Sequence, residues 1–175
     1  MNLVYYEKNK GGIFIDMGIH DIDYICWLVG EVPEYCTAIG SRTSDLAEGY
    51  RSYGEYDTAM GSIKFKNGVL VNIDLCRVTC GGYQQSVRIL GTKQIAEVTN
   101  IRESPLQITN NEGTHQSPFH LVDGFLDRYL ESFKEEMSHF VNVIRGKEEC
   151  IVSGDSVINA TKLAHMLTQA LHTGR

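Results

Sequence analysis

The sequence predicts an α+β fold in which helices pack on one face of an open, mostly antiparallel sheet. Segments with an apolar residue at every third or fourth position lie at the two ends of the chain. Segments in which apolar and polar residues alternate lie between them. Because helical and extended segments are grouped rather than interleaved, a layered α+β arrangement is favoured over a wound βαβ arrangement.

The first helical segment is predicted from Ile13 to Leu28. Its apolar residues recur at helical spacing, as expected for a helix that buries one side. They are Ile15, Ile19, Ile22, Ile25, Cys26 and Val29. Gly30 is expected to end the helix, since glycine readily takes the left-handed conformation found after a last helical turn.

The sheet is predicted to begin near Tyr35–Ser41 and to continue in a hairpin of Ala59–Phe65 and Val69–Arg77. Asn67-Gly68 between these two segments is typical of a two-residue type I′ turn. Alternation along the second strand predicts one buried and one open face. Val69, Val71, Ile73 and Leu75 share one face, and Leu70, Asn72, Asp74 and Cys76 share the other.

The second half of the chain is predicted to add further strands and two helices. Gln85–Leu90 and Gln94–Thr99 flank a Gly-Thr-Lys turn, and a last strand is expected near Leu106–Thr109. A stripe of large apolar residues from Phe125 to Ile144 indicates an amphipathic helix. Ser153 or Asp155 is then expected to cap a final helix, because both side chains accept hydrogen bonds from helical N–H groups.

Length and charge restrict the possible functions. The chain has 175 residues, 42% of them hydrophobic, and a formal net charge of −6. One core is expected, and therefore one domain over residues 1–175. Nucleic-acid and anionic-membrane partners are disfavoured because both need clustered basic residues. Neither a membrane-spanning run nor a signal-peptide pattern occurs, so a cytoplasmic location is expected.

The open face of the predicted sheet suggests a partner. Leu70 and Cys76 lie on that face beside Asn72 and Asp74. A face of this mixed polarity could pair with a copy of itself, so we expect a homo-oligomer formed through the open sheet face.

Asp16, His20 and Asp23 carry the clearest chemical signal, since i, i+4 and i+7 positions share one face of a helix. A carboxylate near an imidazole orients it and stabilises its charged form, which suits proton transfer near neutral pH. Two other interpretations of the spacing remain open. Asp16 could simply interact with the helix dipole in front of a packed histidine, or the three side chains could bind a metal ion.

The segment Gly11–Asp23, with its Gly-Gly-x-x-x-Asp-x-x-x-His-Asp-x-Asp pattern, resembles the catalytic helix of the Gfo/Idh/MocA oxidoreductases, whose members include inositol 2-dehydrogenases. Tyr56–Ala59 and Phe65–Gly68 resemble that family's sheet hairpin, and Gly82-Tyr83 its substrate-side loop. Ile89–Lys93 resembles its recurring Gly-Thr turn. Phe125–Phe133 and Ser153–Ser156 resemble its closing helices. The resemblance covers nearly the whole chain in the correct order.

This resemblance implies a substrate-binding and oligomerisation domain that sits against a Rossmann domain holding NAD or NADP. It implies that Asp16 and His20 are catalytic together with a lysine of the Rossmann domain. Asp16 would orient and polarise the reacting group, and His20 would take the hydroxyl proton of a polyol or sugar. Asp23 and Tyr83 would line the substrate pocket, and Tyr129 could close it.

Two departures from the family pattern concern the cofactor. The sequence holds no G-x-G-x-x-G, the fingerprint that binds a pyrophosphate, and no counterpart of the family's upstream lysine. We therefore expect the Rossmann domain to be absent from this chain and the chain alone to be inactive. A non-catalytic oligomerisation or binding module, and a metal-dependent hydrolase built on Asp16, His20 and Asp23, remain alternatives.

Overall fold

The structure, a computed structural model, describes residues 11–43, 54–79, 83–100, 107–116 and 124–174. They form two compact units, which are described separately below. The first unit comprises Met1–Val78 with Ile151–Arg175, and the second comprises Thr79–Cys150. Gly82, the first residue of the Gly82-Tyr83 pair, lies outside the described residues.

The elements follow one another in the predicted order of helix, strands and helices. The first half of the chain contains α1 (Gly12–Asp16), α2 (Ile19–Val29), β1 (Pro33–Ser41), β2 (Thr58–Phe65) and β3 (Leu70–Cys76). The second half contains β4 (Val87–Leu90), β5 (Ile95–Val98), β6 (Gln107–Asn110), β7 (Gly113–Gln116), α3 (Phe125–Arg128), α4 (Leu130–Ile144) and α5 (Gly154–Thr173).

The single helix predicted from Ile13 to Leu28 is instead two helices, α1 and α2. The N–H groups of Met17 and Gly18 both donate to the carbonyl of Ile13, at 3.1 and 3.0 Å, which closes α1 before α2 begins. The prediction of one continuous helix is therefore wrong at this turn. Its predicted end is confirmed, because Gly30 takes φ +63° and donates to the carbonyl of Cys26 at 3.0 Å.

The sheet of the first unit is antiparallel in the order β1-β2-β3. Its inner face packs against α1, α2 and α5, where every second strand residue is buried. The buried apolar strand residues are Cys36, Ala38, Ala59, Ile63, Phe65, Ile73 and Leu75. Helices thus lie on one face of the sheet, as predicted, and the alternation predicted for β3 is confirmed from Leu70 to Leu75.

The turn between β2 and β3 differs from the predicted two-residue turn. Lys64 pairs with Leu70, and Phe65 N–H donates to the carbonyl of Val69, so the loop contains Lys66, Asn67 and Gly68. Gly68 takes φ +88° and donates to the carbonyl of Phe65 at 2.9 Å. This is the geometry of a three-residue loop that ends in a left-handed glycine. The type I′ prediction is therefore wrong, although the position of the hairpin is right.

The outer face of the same sheet is exposed in the described residues. Tyr35 of β1 lies in the same row as Lys64 and Leu70, and Ile39 lies in the same row as Met60 and Asp74. The large apolar side chains on this face are between 50% and 75% exposed: Tyr35, Ile39, Met60 and Leu70.

The second unit contains two hairpins and two helices. β4 pairs with β5, as predicted, and β6 pairs with β7, a strand that was not predicted. Leu106, the predicted start of the last strand, lies outside the described residues. The helix predicted from Phe125 to Ile144 is interrupted at Tyr129, whose φ of −110° and ψ of 19° are not helical.

The final helix, α5, returns to the first unit and confirms one of the two predicted caps. The hydroxyl of Ser153 accepts a hydrogen bond from Ser156 N–H at 3.2 Å. Three apolar residues of α5, Leu163, Leu167 and Leu171, are buried in the core. The fold class predicted from the sequence, α+β with open antiparallel sheets, is confirmed. No helix among the described residues is long and apolar enough to cross a membrane.

Candidate functional site

Asp16, the last residue of α1, forms an ion pair with Arg77, which directly follows β3. Arg77 Nη1 donates to Asp16 Oδ2 at 2.7 Å. The arginine side chain is 4% exposed and the aspartate side chain 29%. The carboxylate therefore contacts a buried cation through one oxygen, and the side chain remains partly exposed to solvent.

His20 and Asp23 lie on α2, which begins three residues after Asp16, and both are exposed. Among the described residues, Asp16 and His20 share no hydrogen bond, and the carboxylate of Asp16 instead binds Arg77. The helix break at Met17-Gly18 explains this difference from the predicted pairing, because the i, i+4 geometry of one continuous helix does not apply across it.

The turn between α1 and α2 lies against β3, and this contact brings Asp16 to Arg77. A Cβ atom on Gly18 would stand 2.8 Å from Leu75 Cδ1 and 3.1 Å from the carbonyl oxygen of Phe14. Such distances are shorter than ordinary carbon contacts, so the turn can approach the strand only because residue 18 has no side chain. Leu75 lies in β3, two residues before Arg77.

Arg77 is held at its backbone by Asp57, the residue before β2. Arg77 N–H donates to the carbonyl of Asp57 at 2.8 Å, which extends the β2–β3 ladder by one step. The Asp57 side chain is buried, at 1% exposure. Its Oδ1 accepts from Thr43 N–H at 3.2 Å and from the Thr58 hydroxyl at 2.9 Å. Hydrogen bonds of this kind compensate for burying a carboxylate.

The exposed side of α2 continues from His20 through Asp23 to two aromatic residues. Trp27 is 73% exposed, and its ring centroid lies 6.1 Å from that of Tyr24. Cys26 lies one helical turn after Asp23. Burial raises the pKa of the Cys26 thiol, and the nearby charge of Asp23 raises the same pKa further.

Tyr83 and Tyr129, the two predicted substrate-binding tyrosines, lie together in the second unit. Their ring centroids are 6.2 Å apart and the rings are nearly perpendicular, at 87°. Phe125 also contacts Tyr83, with centroids 6.4 Å apart. Edge-to-face contacts at such distances are favourable between aromatic rings. The structure thus brings together two of the five predicted site residues in this unit.

Arg128 fixes the segment that carries Tyr83. Its Nη2 donates to the carbonyl of Gln85 at 2.7 Å, and its guanidinium carbon lies 5.6 Å from the centre of the Tyr129 ring. Asn100 Oδ1 accepts from Gln85 N–H at 2.6 Å. Backbone and side-chain contacts therefore hold the chain beside Tyr83 against α3 and its following residue.

Sequence reasoning missed Arg77 and Asp57. An arginine at the end of an alternating strand carries no local sign of an ionic partner, and Asp16 is 61 residues away. Asp57 offered a weak signal, because aspartate side chains often hydrogen-bond to nearby backbone groups in turns.

No metal site and no nucleotide-binding loop is formed by the described residues. They contain no group of three or more His, Cys, Asp or Glu side chains arranged around a metal position. A surface depression of about 640 Å³ lies between β1 and α5. It contains none of the predicted site residues, and Glu34, Cys36 and Met166 are among those that line it.

Comparison with known proteins finds relatives described as oxidoreductases or inositol dehydrogenases. Residues 4–175 match the family described as "Oxidoreductase family, C-terminal alpha/beta domain". Myo-inositol 2-dehydrogenase of Thermotoga maritima is 34% identical over 170 residues, which are 97% of this chain and 50% of that protein.

Two solved structures of inositol dehydrogenases have the same fold. Myo-inositol dehydrogenase of Corynebacterium glutamicum is 31% identical, with a TM-score of 0.85 over 98% of this chain and 50% of that one. Scyllo-inositol dehydrogenase of Lactobacillus casei, solved with bound NAD(H) and scyllo-inositol, is 25% identical, with a TM-score of 0.82 over 98% of this chain and 49% of that one. The chain therefore spans about half the length of the relatives it matches.

Proposed function

The chain belongs to the Gfo/Idh/MocA oxidoreductases, as their C-terminal alpha/beta domain, and on that basis we propose that it is the substrate-binding half of an NAD(P)-dependent dehydrogenase. The proposed reaction is oxidation of a hydroxyl group of a cyclic polyol, with inositols as the first candidates and sugars as the second. The observation that supports it most is the agreement between relatives that act on inositols and the Asp16–His20 motif at the start of the domain.

Oxidation of an alcohol to a ketone removes a proton from oxygen and a hydride from carbon. We assign the proton to His20, whose exposed imidazole can act as the general base. We assign to Asp16 the orientation of the reacting group, since its carboxylate is held by Arg77 and partly open. Asp23 and the pair Tyr83 and Tyr129 are proposed as substrate-binding residues.

The cofactor binds mainly outside this chain in the proposed enzyme. A nicotinamide, when bound, accepts the hydride. The sequence has no glycine pattern that could cradle its pyrophosphate, so this chain contributes residues toward the substrate rather than toward the nucleotide. The choice between NAD and NADP belongs to the nucleotide-binding half, and the 175-residue chain alone is proposed to be inactive.

The function is tested by joining the chain to a nucleotide-binding half, taken from the native gene or from Thermotoga maritima myo-inositol 2-dehydrogenase. Reduced nicotinamide absorbance is followed with a panel of inositols and sugars. We expect at least one polyol to give a rise that depends on its concentration. His20→Ala should lower kcat about 100-fold or more, because a general base contributes on that order.

The matched control is His165→Ala, which removes an exposed histidine of α5 and should leave kcat unchanged. If no substrate on the panel supports reduction of NAD or NADP while the joined protein is folded, the dehydrogenase proposal fails. The alternative, a non-catalytic oligomerisation or binding module, is then favoured.

A second copy of the chain is the proposed occupant of the exposed sheet face. Ile39 and Leu70 are 69% and 75% exposed there, and apolar side chains of this size gain free energy when a partner covers them. Light scattering should therefore report an oligomer that the double substitution Ile39→Glu and Leu70→Glu dissociates. Leu90→Glu, at a 70% exposed position of β4, is the control. A monomeric unsubstituted protein at micromolar concentration excludes this partner.

A further inference from the structure

The ion pair of Arg77 with Asp16 has a cost that the fold alone does not explain. The Arg77 side chain is 4% exposed. Removing a guanidinium from water costs several kcal/mol, and its attraction to a carboxylate often does no more than offset this. A buried pair of this kind is therefore weak evidence of stabilisation, and a functional reason for it is worth testing.

Both ends of the ion pair are attached to rigid backbone. The Arg77 main chain bonds to Asp57 at 2.8 Å, one step beyond the paired residues Thr58 and Cys76. Asp16 is fixed at the end of α1, where the next two N–H groups bond to the carbonyl of Ile13. A side chain held in this way from both sides has little freedom to rotate, so the carboxylate keeps a defined direction.

The contact with Arg77 uses only one oxygen of the carboxylate. Nη1 binds Oδ2, and within the described residues Oδ1 accepts no hydrogen bond. The Asp16 side chain is 29% exposed, so the carboxylate is partly accessible to a donor from outside the chain's own fold. A carboxylate fixed at one oxygen and open at the other is suited to hold a hydroxyl or ammonium donor in one orientation.

We propose that Arg77 is a positioning residue of the dehydrogenase, which binds Oδ2 of Asp16 so that Oδ1 meets its donor in the active site at a fixed angle. This inference rests on the proposed function, since it assigns Arg77 a role through Asp16 in that reaction. The role assigned to Arg77 is indirect and requires no contact with substrate or cofactor. It acts by restricting the rotation of the carboxylate and by balancing its charge.

The test is a double-mutant cycle in the protein joined to its nucleotide-binding half. The four proteins are the unsubstituted one, Arg77→Met, Asp16→Asn and the double variant. Arg77→Met should lower kcat about tenfold or more and change KM for the polyol by less than about threefold. The substitution removes the fixed orientation of the Asp16 carboxylate, which serves the chemical step rather than substrate binding. In the Asp16→Asn background the same substitution should change kcat by less than about twofold, because coupled residues are not additive.

Arg77→Lys separates positioning from packing. The contact involves one nitrogen and one oxygen, so an ammonium that reaches Oδ2 should recover a large part of the kcat lost in Arg77→Met. If Arg77→Met does not fold by circular dichroism, the cycle is run with Arg77→Lys and Asp16→Asn, and a partial loss of kcat that disappears in the Asp16→Asn background is expected. Lys134→Gln, which breaks the exposed ion pair with Glu131, is the control and should leave kcat unchanged.

Two outcomes overturn the inference. One is a normal kcat in a folded Arg77→Met variant, and the other is an equal loss of kcat with and without the Asp16→Asn substitution. Either result is distinct from failure of the proposed function, in which the unsubstituted protein itself shows no oxidation of a polyol.

Discussion

A methyl group on Gly18 would stand 2.8 Å from Leu75 Cδ1, so the turn between α1 and α2 touches strand β3 at a point where no side chain fits. Gly18 itself has φ −71°, which any residue adopts, so space and not backbone conformation restricts this position. The contact fixes the distance between the end of α1 and the end of β3. Asp16 and Arg77 meet as a consequence.

We predict that Gly18→Ala destabilises the domain by about 1–3 kcal/mol, the usual cost of adding a carbon to a packed site. Urea unfolding followed by circular dichroism measures this loss. Gly154→Ala is the matched control, since nothing lies within 4 Å of its Cβ position and alanine is favourable near a helix start. Equal stability of the two variants would contradict the packing argument.

Asp57 should be sensitive to substitution, because its side chain is buried at 1% exposure. Asp57→Ala removes a buried acceptor that binds Thr43 N–H and the Thr58 hydroxyl, and a loss of about 2 kcal/mol is expected because hydrogen bonds to charged groups contribute on that order. Asp57→Asn should lose less, because an amide oxygen still accepts. Asp74→Ala, on the exposed face of β3, is the control and should change the free energy of unfolding by less than about 0.5 kcal/mol.

The pKa of Glu148 should depend on its partners in the second unit. A hydrogen bond from His139 at 2.7 Å and then one from Asn142 at 2.8 Å lower the pKa of Glu148 from its ordinary value of 4.5. Because the folded pKa is the lower one, the stability contributed is present above the unfolded pKa and is lost as pH falls through the folded pKa.

Titration of the Glu148 carboxyl by NMR measures this effect, and His139→Ala should move the midpoint upward. A midpoint that does not move contradicts the assigned cause. His165→Ala, which removes a histidine of another helix, should leave the midpoint where it was. The stability difference between the unsubstituted protein and Glu148→Gln should shrink as the pH is lowered below 4.5.

Asp23→Asn should make the thiol of Cys26 more reactive. Burial is the larger cause of the raised pKa of Cys26 and the charge of Asp23 the smaller one, so removing that charge lowers the pKa part of the way. A larger thiolate fraction near neutral pH reacts faster with iodoacetamide. Mass spectrometry of Cys26 alkylation measures the rate. Cys36, whose pKa is raised by burial alone, is an internal control that should keep its rate.

The features predicted well from the sequence were those set by neighbours along the chain. Alternation placed Ile73 and Leu75 on the buried face of β3, and short-range capping placed Ser153 before α5. The break after Asp16 was not predicted, because the apolar spacing is the same for one helix or two. Its cause is the close approach of Gly18 to a strand more than fifty residues later in the chain, which local periodicity does not encode.

The same reasoning applies to the candidate site. The motif placed Asp16 and His20 one helical turn apart and predicted that the carboxylate would orient the imidazole. The structure instead joins Asp16 to Arg77, and that contact depends on tertiary packing. The roles of Asp16, His20, Asp23, Tyr83 and Tyr129 in the reaction are proposals, and substitutions at His20 and Asp16 test two of them.

Trp27 is the only tryptophan of the chain, and it stands 73% exposed on the side of α2 that also carries His20 and Asp23. Indole emission shifts to shorter wavelength when water around the ring is replaced by protein. The chain therefore has a built-in fluorescent reporter for that side of α2. Any segment, subunit or added half that covers this side of the helix should shift the emission of Trp27 to shorter wavelength. This measurement needs neither an added label nor a substrate.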